Sequence, residues 1–300
     1  MERLQNKYDV SVIIPTYNRS CLLNYTLKSL VKQDIGKDRF EVVVADDGSS
    51  DDTREVVRKF KRWLNVKYVF QEDRGYRPAS ARNKGICASE GNICLFIDAG
   101  VILHPGCIAS HVDFHAGNRQ RAAAIGYVYG FENGPGSEDK LIKMIAPEDP
   151  VESIRRLSRN PLFFDVREEQ YKRHNDKLEE LPAPWYYFWT CHVSVLRLDL
   201  VNVGLFDENY DGRWGAEDND LGFRLQESGT EIRLLRAAKA IHYPHDKDKT
   251  EKRKQGYLNC IYFHNKFQTR ATRLFLDNYH TETRFVDLNE LLLQLAEAVA

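Results

Sequence analysis

The stretch VIIPTYNRSCLLNYTLKSL, residues 12–30, places an apolar run directly before a helical pattern. The run stops at Pro15, the chain turns through Thr16 to Arg19, and apolar residues then recur at helical spacing. A buried strand that passes through a short polar turn into a helix is the repeating unit of parallel α/β sheets. The corner is therefore either a packing feature or one wall of a binding site.

The first 130 residues repeat this alternation of strand and helix. Apolar runs predict strands at 10–14, 41–45, 66–70, 93–97 and 122–127. Amphipathic stretches predict helices at 19–33, 51–63, 78–88 and 105–116. Because the strands are apolar on both faces, we expect an α/β fold with a buried, mostly parallel sheet flanked by helices.

Two further parts follow in the sequence. Residues 131–248 contain an insertion at 133–181 that opens on the break Gly134-Pro135-Gly136, then strands at 193–196 and 240–243 and a helix at 215–227. Residues 249–300 form a predicted helical extension, with helices at 250–275 and 287–300. The last helix has an apolar face that can pack on the body or on another subunit, which allows a homo-oligomer.

Composition narrows the function. The 300 residues are 42% hydrophobic and 29% charged, with a net charge of −1, which argues against nucleic-acid binding through a basic surface. Six cysteines form no C-x-x-C pair, which is typical of reduced thiols in a cytoplasmic protein. The sequence contains no run of about 18 apolar residues, so it predicts no membrane span. The basic stretch 247–254 predicts a solvated helix face or a segment that closes over a ligand.

Acidic residues end the second strand, in VVVADDGSSDDT at residues 42–53. Ligands of open α/β sheets bind outside such strand ends, where a carboxylate can accept hydrogen bonds from a base or a ribose. The alternative is that Asp47 and Ser49 only cap the next helix. A shared sheet edge favours a binding function, and it would also hold Thr16, Tyr17, Asn18, Arg77 and Asp98.

Five motifs, in order, resemble those of family-2-type glycosyltransferases of the GT-A fold: VSVIIPTYNR, VVVADDGSSDDT, RGYRPASARNKGI, CLFIDAGVILHP and GRWGAEDNDLGFRL. The last is similar to the acceptor-side motif of galactosyltransferase and chondroitin-synthase-like enzymes. The resemblance implies a Rossmann-like sheet, a donor half at 1–130 and an acceptor half at 131–248. It also implies transfer of a sugar from a nucleotide-diphosphate sugar, foremost a UDP-sugar, to a hydroxyl acceptor.

The same resemblance implies which residues bind the donor. Tyr17 would lie against the base, and a carboxylate of the pair Asp46 and Asp47 would accept the uracil N3–H. Arg77 would lie near the base and the phosphates. The full implied donor set is Pro15, Thr16, Tyr17, Asn18, Asp46, Asp47, Arg77, Asn83, Lys84, Asp98 and Ala99.

The chain departs from the family pattern at Gly100, which stands where the family's D-x-D motif has its metal-binding carboxylate. In one interpretation Mn²⁺ or Mg²⁺ still binds, through His245, His242 and Asp98. In the other the enzyme needs no metal, and cationic side chains such as Arg77, Lys84 and Arg213 neutralise the diphosphate. We favour the metal, because a departing diphosphate needs strong charge stabilisation.

The motif at 212–225 implies the acceptor side. Trp214 and Gly215 would accept a sugar ring, and Trp189 in the aromatic run before the strand at 193–196 would border it. Asp218 is the predicted base that takes the proton of the acceptor hydroxyl, with Glu217 as the alternative. Acidic residues at this helix start also complement the helix dipole, which is the simpler explanation for them. A single displacement would invert the anomeric centre.

Three other functions compete with this hypothesis. A nucleotidyltransferase would need a glycine-rich basic loop after the first strand, and IIPTYNRS is not one. An inactive nucleotide-sugar-binding or scaffold protein would explain Gly100 but not the retained Asp98, Glu217 and Asp218. A peptide S-glycosyltransferase would need less help from a base, because thiols ionise more readily than hydroxyls.

Overall fold

The computed structural model describes residues 7–118, 120–131, 137–245, 249–279 and 286–298. The break at Gly134-Pro135-Gly136 and residues 247–248 of the basic stretch lie outside the described residues. The strands are β1 Tyr8–Thr16, β2 Phe40–Asp46, β3 Val66–Phe70, β4 Gly91–Ile97, β5 Val101–Leu103, β6 Ala122–Tyr129, β7 His192–Leu196 and β8 Glu231–His242.

The helices of the described residues lie between and after these strands. They are α1 Ser20–Val31, α2 Thr53–Phe60, α3 Pro78–Ala88, α4 Cys107–Gly117, α5 Glu138–Met144, α6 Pro150–Leu157, α7 Glu168–Arg173, α8 Arg197–Asn202, α9 Glu217–Glu227, α10 Lys249–Phe267, α11 Arg270–Asn278 and α12 Leu288–Glu297. Short 3₁₀ helices occur at Pro161–Phe163, Leu178–Glu180, Pro184–Tyr187 and Glu208–Tyr210.

One sheet runs through the molecule in the order β3-β2-β1-β4-β7-β6-β8-β5. Its first four strands are parallel, and β6 pairs in parallel with β8. Strand β7 lies between β4 and β6 and is antiparallel to both, as β5 is to β8. The expected mixed α/β architecture, with a mostly parallel sheet flanked by helices, is confirmed.

Alternation within the strands fills two apolar layers. Ile13 and Phe96 point into one buried cluster, and their neighbours Val12 and Leu95 point into the other. All four side chains are fully buried. Strands apolar on both faces can only be stable with cover on both sides, which the helices supply. Because β1, β2 and β4 are parallel, their carboxyl ends meet at one edge of the sheet.

Strand β8 begins at Glu231, well before the predicted start at residue 240, and β5 was not expected at all. The prediction failed because the first half of β8 is rich in charged residues. Arg236 is one of them, and it pairs with Glu168 at 2.8 Å and Asp176 at 2.5 Å in the insertion. Because such charged residues interrupt the alternation of apolar and polar residues, the first half of β8 lacks the pattern by which a strand is usually recognised.

The predicted helix at 250–275 is two helices, α10 and α11. Gln268 adopts a left-handed conformation with φ of 52°, which ends the first helix. Thr269 then caps the second in a capping box with Thr272. After them, α12 docks on the body through Asn289, whose amide exchanges hydrogen bonds of 2.7 and 3.1 Å with the backbone of Ala183.

Two sequence expectations concern the chain as a whole. None of the six cysteines is in a disulfide, as expected for reduced thiols. Within the described residues, no helix combines the length and apolarity needed to cross a bilayer.

Candidate active site

The site lies where β1, β2 and β4 end. Thr16 at the end of β1 is the register partner of Asp46 at the end of β2. The next residue, Asp47, donates its backbone N–H to the Thr16 carbonyl at 2.9 Å. Asp98 directly follows β4 and is 37% exposed at its side chain. Sequence positions far apart therefore meet at one edge, as predicted.

Asp47 anchors the donor end of this edge. Its carboxylate accepts from Gln71 Nε2 at 2.6 Å and from the Arg77 backbone N–H at 2.7 Å, and it pairs with the Arg77 guanidinium at 3.4 Å. Burial raises the pKa of Asp47, while the bonds from Gln71 and Arg77 act against that shift. Asp47 and Arg77 thus form a largely buried ion pair beside the end of β1.

Tyr17 and Asn18 form the turn after β1. The Tyr17 ring is 43% exposed, and its hydroxyl donates to Asp73 at 2.8 Å. Asn18 has a φ of 49°, and its Oδ1 accepts from the Ser50 N–H at 2.8 Å. The exposed ring of Tyr17 is free to cover a planar ligand, whereas Asn18 joins the two neighbouring turns.

The other members of the predicted donor set differ in burial and in their contacts within the protein. Asp46 is buried and accepts from Ser49 N–H at 2.8 Å and from the Tyr68 hydroxyl at 2.5 Å. Asn83 holds the backbone of Phe206 through both amide atoms, each at 2.9 Å, so the structure gives it a role in that loop. Lys84 is exposed on α3. Pro15 is half-buried and Ala99 is buried beside Asp98.

Arg82 connects the end of β4 to the start of α9, and the sequence reasoning missed it. Its guanidinium lies 3.7 Å from Asp98 and 3.0 Å from Glu217, with only 7% of the side chain exposed. The available signal was an arginine at a position of α3 flanked by the buried Ala81 and Asn83. Because a buried arginine requires acidic partners, the position of Arg82 indicated that carboxylates from elsewhere in the chain lie beside it.

Asp218 lies beside this ion pair and is half-buried. Its Oδ2 accepts from the Thr190 backbone N–H at 3.3 Å, and the adjacent Cys191 carbonyl accepts from the Asp98 N–H at 3.4 Å. The segment at 190–191 therefore contacts both aspartates. Burial and the nearby negative Glu217 raise the pKa of Asp218, Arg82 acts in the opposite direction, and the net result is a pKa of about 7.

The loop before α9 is held in an unusual conformation. Gly215 has a φ of 94° and Ala216 a φ of 69°, a left-handed region that is costly for alanine. Buried Asn259 of α10 stabilises this turn, since its Nδ2 donates to the carbonyls of Gly215 at 2.8 Å and Arg213 at 3.3 Å. Helix α10 thereby fixes the start of α9 and with it the two acidic residues.

The predicted acceptor tryptophans take different places. Trp214 is half-buried, and its backbone N–H donates to Gln255 at 3.2 Å. Trp189 is also half-buried and donates from Nε1 to the Tyr186 carbonyl at 3.0 Å, with its ring 4.7 Å from the Arg167 guanidinium. Trp189 directly precedes Thr190, whose N–H binds Asp218, and Trp214 lies three residues before Glu217 in the sequence.

Gly100 lies next to the predicted histidines. It has a φ of 106°, its N–H donates to Thr26 Oγ1 at 2.9 Å, and its carbonyl accepts from Tyr243 N–H at 3.0 Å. The rings of His242 and His245 have centroids 5.4 Å apart. A side chain at residue 100 would have room beside Leu22, with contacts of 3.5 Å or longer, but it would be strained by the backbone.

The predicted metal ligands do not gather into a three-residue set. Across the described residues, three ligand atoms come within 4.8 Å of one another only at Cys107, His111 and His192. Asp98 instead faces Arg82. The imidazoles of His242 and His245, beside the Gly100 turn, are the two predicted nitrogen ligands near this edge.

Comparison with known proteins identifies two matching family profiles. The profile of Glycosyl transferase family 2 matches residues 11–178, and that of the "N-terminal domain of galactosyltransferase" matches residues 173–246. The second match contains the motif that places Glu217 and Asp218 at the start of α9.

Curated relatives extend over most of the chain. Validoxylamine A glucosyltransferase of Streptomyces hygroscopicus subsp. jinggangensis is 39% identical over 267 residues, 89% of this chain and 63% of the relative. Chondroitin synthase of Escherichia coli is 31% identical over 78% of this chain and 34% of its own length. The chain thus spans less than two thirds of the length of these relatives.

Solved structures share the fold. TarS of S. aureus, residues 1–349 in complex with UDP-GlcNAc, superposes with a TM-score of 0.62 at 20% identity, over 97% of this chain and 77% of that one. The mannosyltransferase PcManGT of Pyrobaculum calidifontis, in complex with GDP-Man and Mn²⁺, gives a TM-score of 0.57 at 17% identity, over 99% and 81%. The GT-A fold is confirmed, and this chain belongs to glycosyl transferase family 2.

Proposed function

We propose that this chain is an inverting glycosyltransferase that moves a sugar from a UDP-sugar to an acceptor hydroxyl. The observation that best supports this is the position of Arg82, which lies 3.7 Å from Asp98 and 3.0 Å from Glu217. Through that bridge, Asp98 after β4 and Glu217 at the start of α9 both approach one guanidinium. A sugar held near Asp98 would have its anomeric carbon close to Asp218.

The donor's nucleotide is proposed to bind at the β1–β2 end of the cleft. Tyr17 offers an exposed ring for the base, and the carboxylate of Asp47 would accept the uracil N3–H. Arg77 would then lie near the phosphates. Because the Asp47 carboxylate is largely buried, a base that cannot donate a hydrogen bond to it would leave a polar group unsatisfied, which disfavours the wrong nucleotide.

Transfer is proposed as one displacement. The acceptor oxygen attacks the anomeric carbon as the bond from that carbon to the UDP oxygen breaks, and the electron pair leaves with UDP. The acceptor proton passes to Asp218, whose pKa of about 7 lets it ionise at neutral pH and still accept a proton. Attack opposite the leaving group inverts the anomeric centre. Glu217, bound to Arg82, is assigned to positioning and to raising the pKa of Asp218.

A divalent ion is part of the proposal. His242 and His245 would hold it beside Gly100, with Asp98 nearby, and Mn²⁺ suits a mixed nitrogen and oxygen set better than Mg²⁺ does. The ion would supply positive charge to the departing diphosphate. The rings of His242 and His245, with centroids 5.4 Å apart, support such a site, although Asp98 does not join them in a three-residue set.

Relatives guide the choice of substrates. The UDP-GlcNAc complex of TarS directs the first donor tests to UDP-sugars, and the name of the 39% identical relative directs them to glucose and to validoxylamine A as acceptor. Trp214 and Trp189 would border that acceptor. Six unpaired cysteines agree with a reducing compartment, and we propose a cytoplasmic location.

The test is a transfer and hydrolysis assay with UDP-, GDP- and dTDP-glucose, each with Mn²⁺ and with EDTA. We expect turnover of UDP-glucose, and an anomeric product configuration opposite to that of the donor. Asp218→Asn should abolish transfer while UDP still binds. If UDP binds but no nucleotide sugar turns over, the chain is an inactive nucleotide-sugar-binding or scaffold protein and not an enzyme. A product formed only on peptide cysteines would assign S-glycosyl transfer instead.

A further inference from the structure

A second cluster of potentially metal-ligating side chains lies in the core, between α4 and β7. It consists of Cys107 and His111 on α4 and His192 on β7, all fully buried. The His111 and His192 Nε2 atoms are 3.0 Å apart, and Cys107 Sγ lies 3.3 Å from His192 Nε2. We call these three residues the core cluster.

We propose that the core cluster binds one thiophilic metal ion, Zn²⁺ or Cu⁺, as a structural site. Thiolate and imidazole are the ligand types that such ions prefer. With Zn–N of about 2.0–2.1 Å and Zn–S of about 2.3 Å, ligand atoms on one ion lie about 3.3–3.6 Å apart. The two separations at His192 Nε2, 3.0 and 3.3 Å, reach that range after outward shifts of a few tenths of an ångström, and the third pair, Cys107 Sγ and His111, lies within 4.8 Å.

Hydrogen bonding alone leaves the core cluster incompletely satisfied. His192 Nε2 faces both His111 Nε2 and Cys107 Sγ. A ring nitrogen has one proton or one in-plane lone pair, so it can make a good bond to only one of the two. A cation at the centre takes a lone pair from all three atoms at once.

The surroundings orient the rings for such a site. His111 Nδ1 lies 2.8 Å from Ser194 Oγ, which in turn lies 2.8 Å from His115 Nε2. If Nδ1 of His111 donates to the serine, the lone pair of Nε2 points at the other two ligands, an outer-shell arrangement common at metal sites. Gly126 makes room for the second ring, since a Cβ there would lie 2.2 Å from His192 Cε1.

The fully buried pocket limits the charge it can hold. The Cys107 thiolate cancels the whole charge of Cu⁺ and half that of Zn²⁺, and an uncompensated charge is costly in an apolar interior. Burial also means that the ion enters during folding and stays afterwards. The site would fasten α4 to β7, whose His192 is the register partner of Ile97, the residue before Asp98.

The test measures metal in the whole chain, freed of any affinity tag and dialysed against EDTA in the folded state. Two samples are refolded, one with Zn²⁺ in air and one with Cu⁺ without oxygen, and a third is taken directly from cells. Mass spectrometry of the metals should find about one ion per chain, released only on unfolding in guanidinium. The reconstitution that gives this ratio identifies the ion.

Variants separate the site from adventitious metal. Cys107→Ser and His192→Asn should lose the ion, whereas Cys94→Ser, an equally buried cysteine outside the core cluster, should retain it. Less than about one ion per ten chains in the cell-derived sample and in both refolded samples would overturn the proposal. So would equal metal content in Cys107→Ser and Cys94→Ser. The wild-type measurement decides alone if a variant fails to fold.

Discussion

Arg82 Nη1 lies 3.0 Å from Glu217 Oε1, and both side chains are only 7% exposed. The pair joins α3, which lies between β3 and β4, to the first turn of α9. Asp98 lies 3.7 Å from the same guanidinium, so one arginine faces two carboxylates that are more than 100 residues apart in the sequence. Stability and site geometry are therefore linked at this residue.

Removing the arginine should destabilise the protein strongly. Arg82→Met leaves Glu217 buried without its charge partner, and we expect a loss of about 3–5 kcal/mol in the free energy of unfolding. Guanidinium denaturation measures it. Arg74→Ala, which breaks an exposed pair with Glu72, should change stability by less than about 0.5 kcal/mol. The double variant Arg82→Met/Glu217→Gln should recover part of the loss, and no recovery would refute the role of the unpaired charge.

The raised pKa of Asp218 predicts a pH profile. The proposed base must be ionised to accept the acceptor proton, so we expect kcat/KM to rise with pH up to a plateau, with a midpoint near the pKa of about 7. Glu217→Gln removes the neighbouring negative charge, while the positive charge of Arg82 remains and favours the ionised form of Asp218. The midpoint should move to lower pH in that variant. An unchanged or higher midpoint would show that Glu217 does not control the ionisation of Asp218.

The same shift predicts a stability change of defined sign. The pKa of Asp218 is raised from about 3.9 in the unfolded chain to about 7 in the fold. Its carboxyl group therefore favours the folded state below pH 4, and this contribution is lost as pH rises to 7. Asp218→Asn, which cannot ionise, should melt higher than wild type at pH 8, and the difference should shrink towards pH 4. A gain that is equal at both pH values would contradict this linkage.

Asp47 and Asp46 should behave differently although they are neighbours. Asp47→Asn should weaken UDP binding by about 10- to 100-fold, as expected when a buried acceptor is lost from a base pocket. Asp46→Asn should mainly lower the melting temperature, because its carboxylate serves Ser49 and Tyr68. Calorimetric titration with UDP, together with thermal melts, separates the two. A larger affinity loss for Asp46→Asn would move the base contact to that residue.

Asn259 should affect catalysis without contacting substrate. Asn259→Ala removes the donor that holds the Gly215 carbonyl, so the turn at Ala216 loses support and Asp218 shifts. We expect kcat to fall by about 10- to 100-fold with the affinity for UDP unchanged. Asn65→Ala, which removes an exposed amide bonded to the Lys37 carbonyl, is the matched control. Equal kcat values for the two variants would exclude the positioning role.

The donor half could be predicted because its strands are continuous apolar runs and its turns contain short polar motifs. Tyr17, Asp47 and Asp98 follow such strands directly, so their meeting at one edge follows from parallel pairing alone. Arg82 could not be placed in the same way. Its partners depend on where α9 docks, and that docking is set by tertiary contacts such as those of Asn259, which no local pattern encodes.

The acceptor half shows the same limit. Strand β8 was recognised only at its apolar end, because Arg236 and its neighbours are satisfied by acidic residues of the insertion. The helix break before Thr269 depends on one residue, Gln268, in a left-handed conformation for which glycine is the usual signal. Local propensity therefore failed where long-range ion pairs or a single unusual dihedral decided the structure.

The position of β7 has a consequence for synthesis on the ribosome. Once residue 97 has emerged, β1 to β4 can pair with one another, but β6, complete at residue 129, has no neighbour until β7 at 192–196 is made. A nascent chain therefore exposes the fully apolar β6 while more than 60 further residues are translated. Truncated chains that end before residue 192 should for this reason aggregate or recruit chaperones.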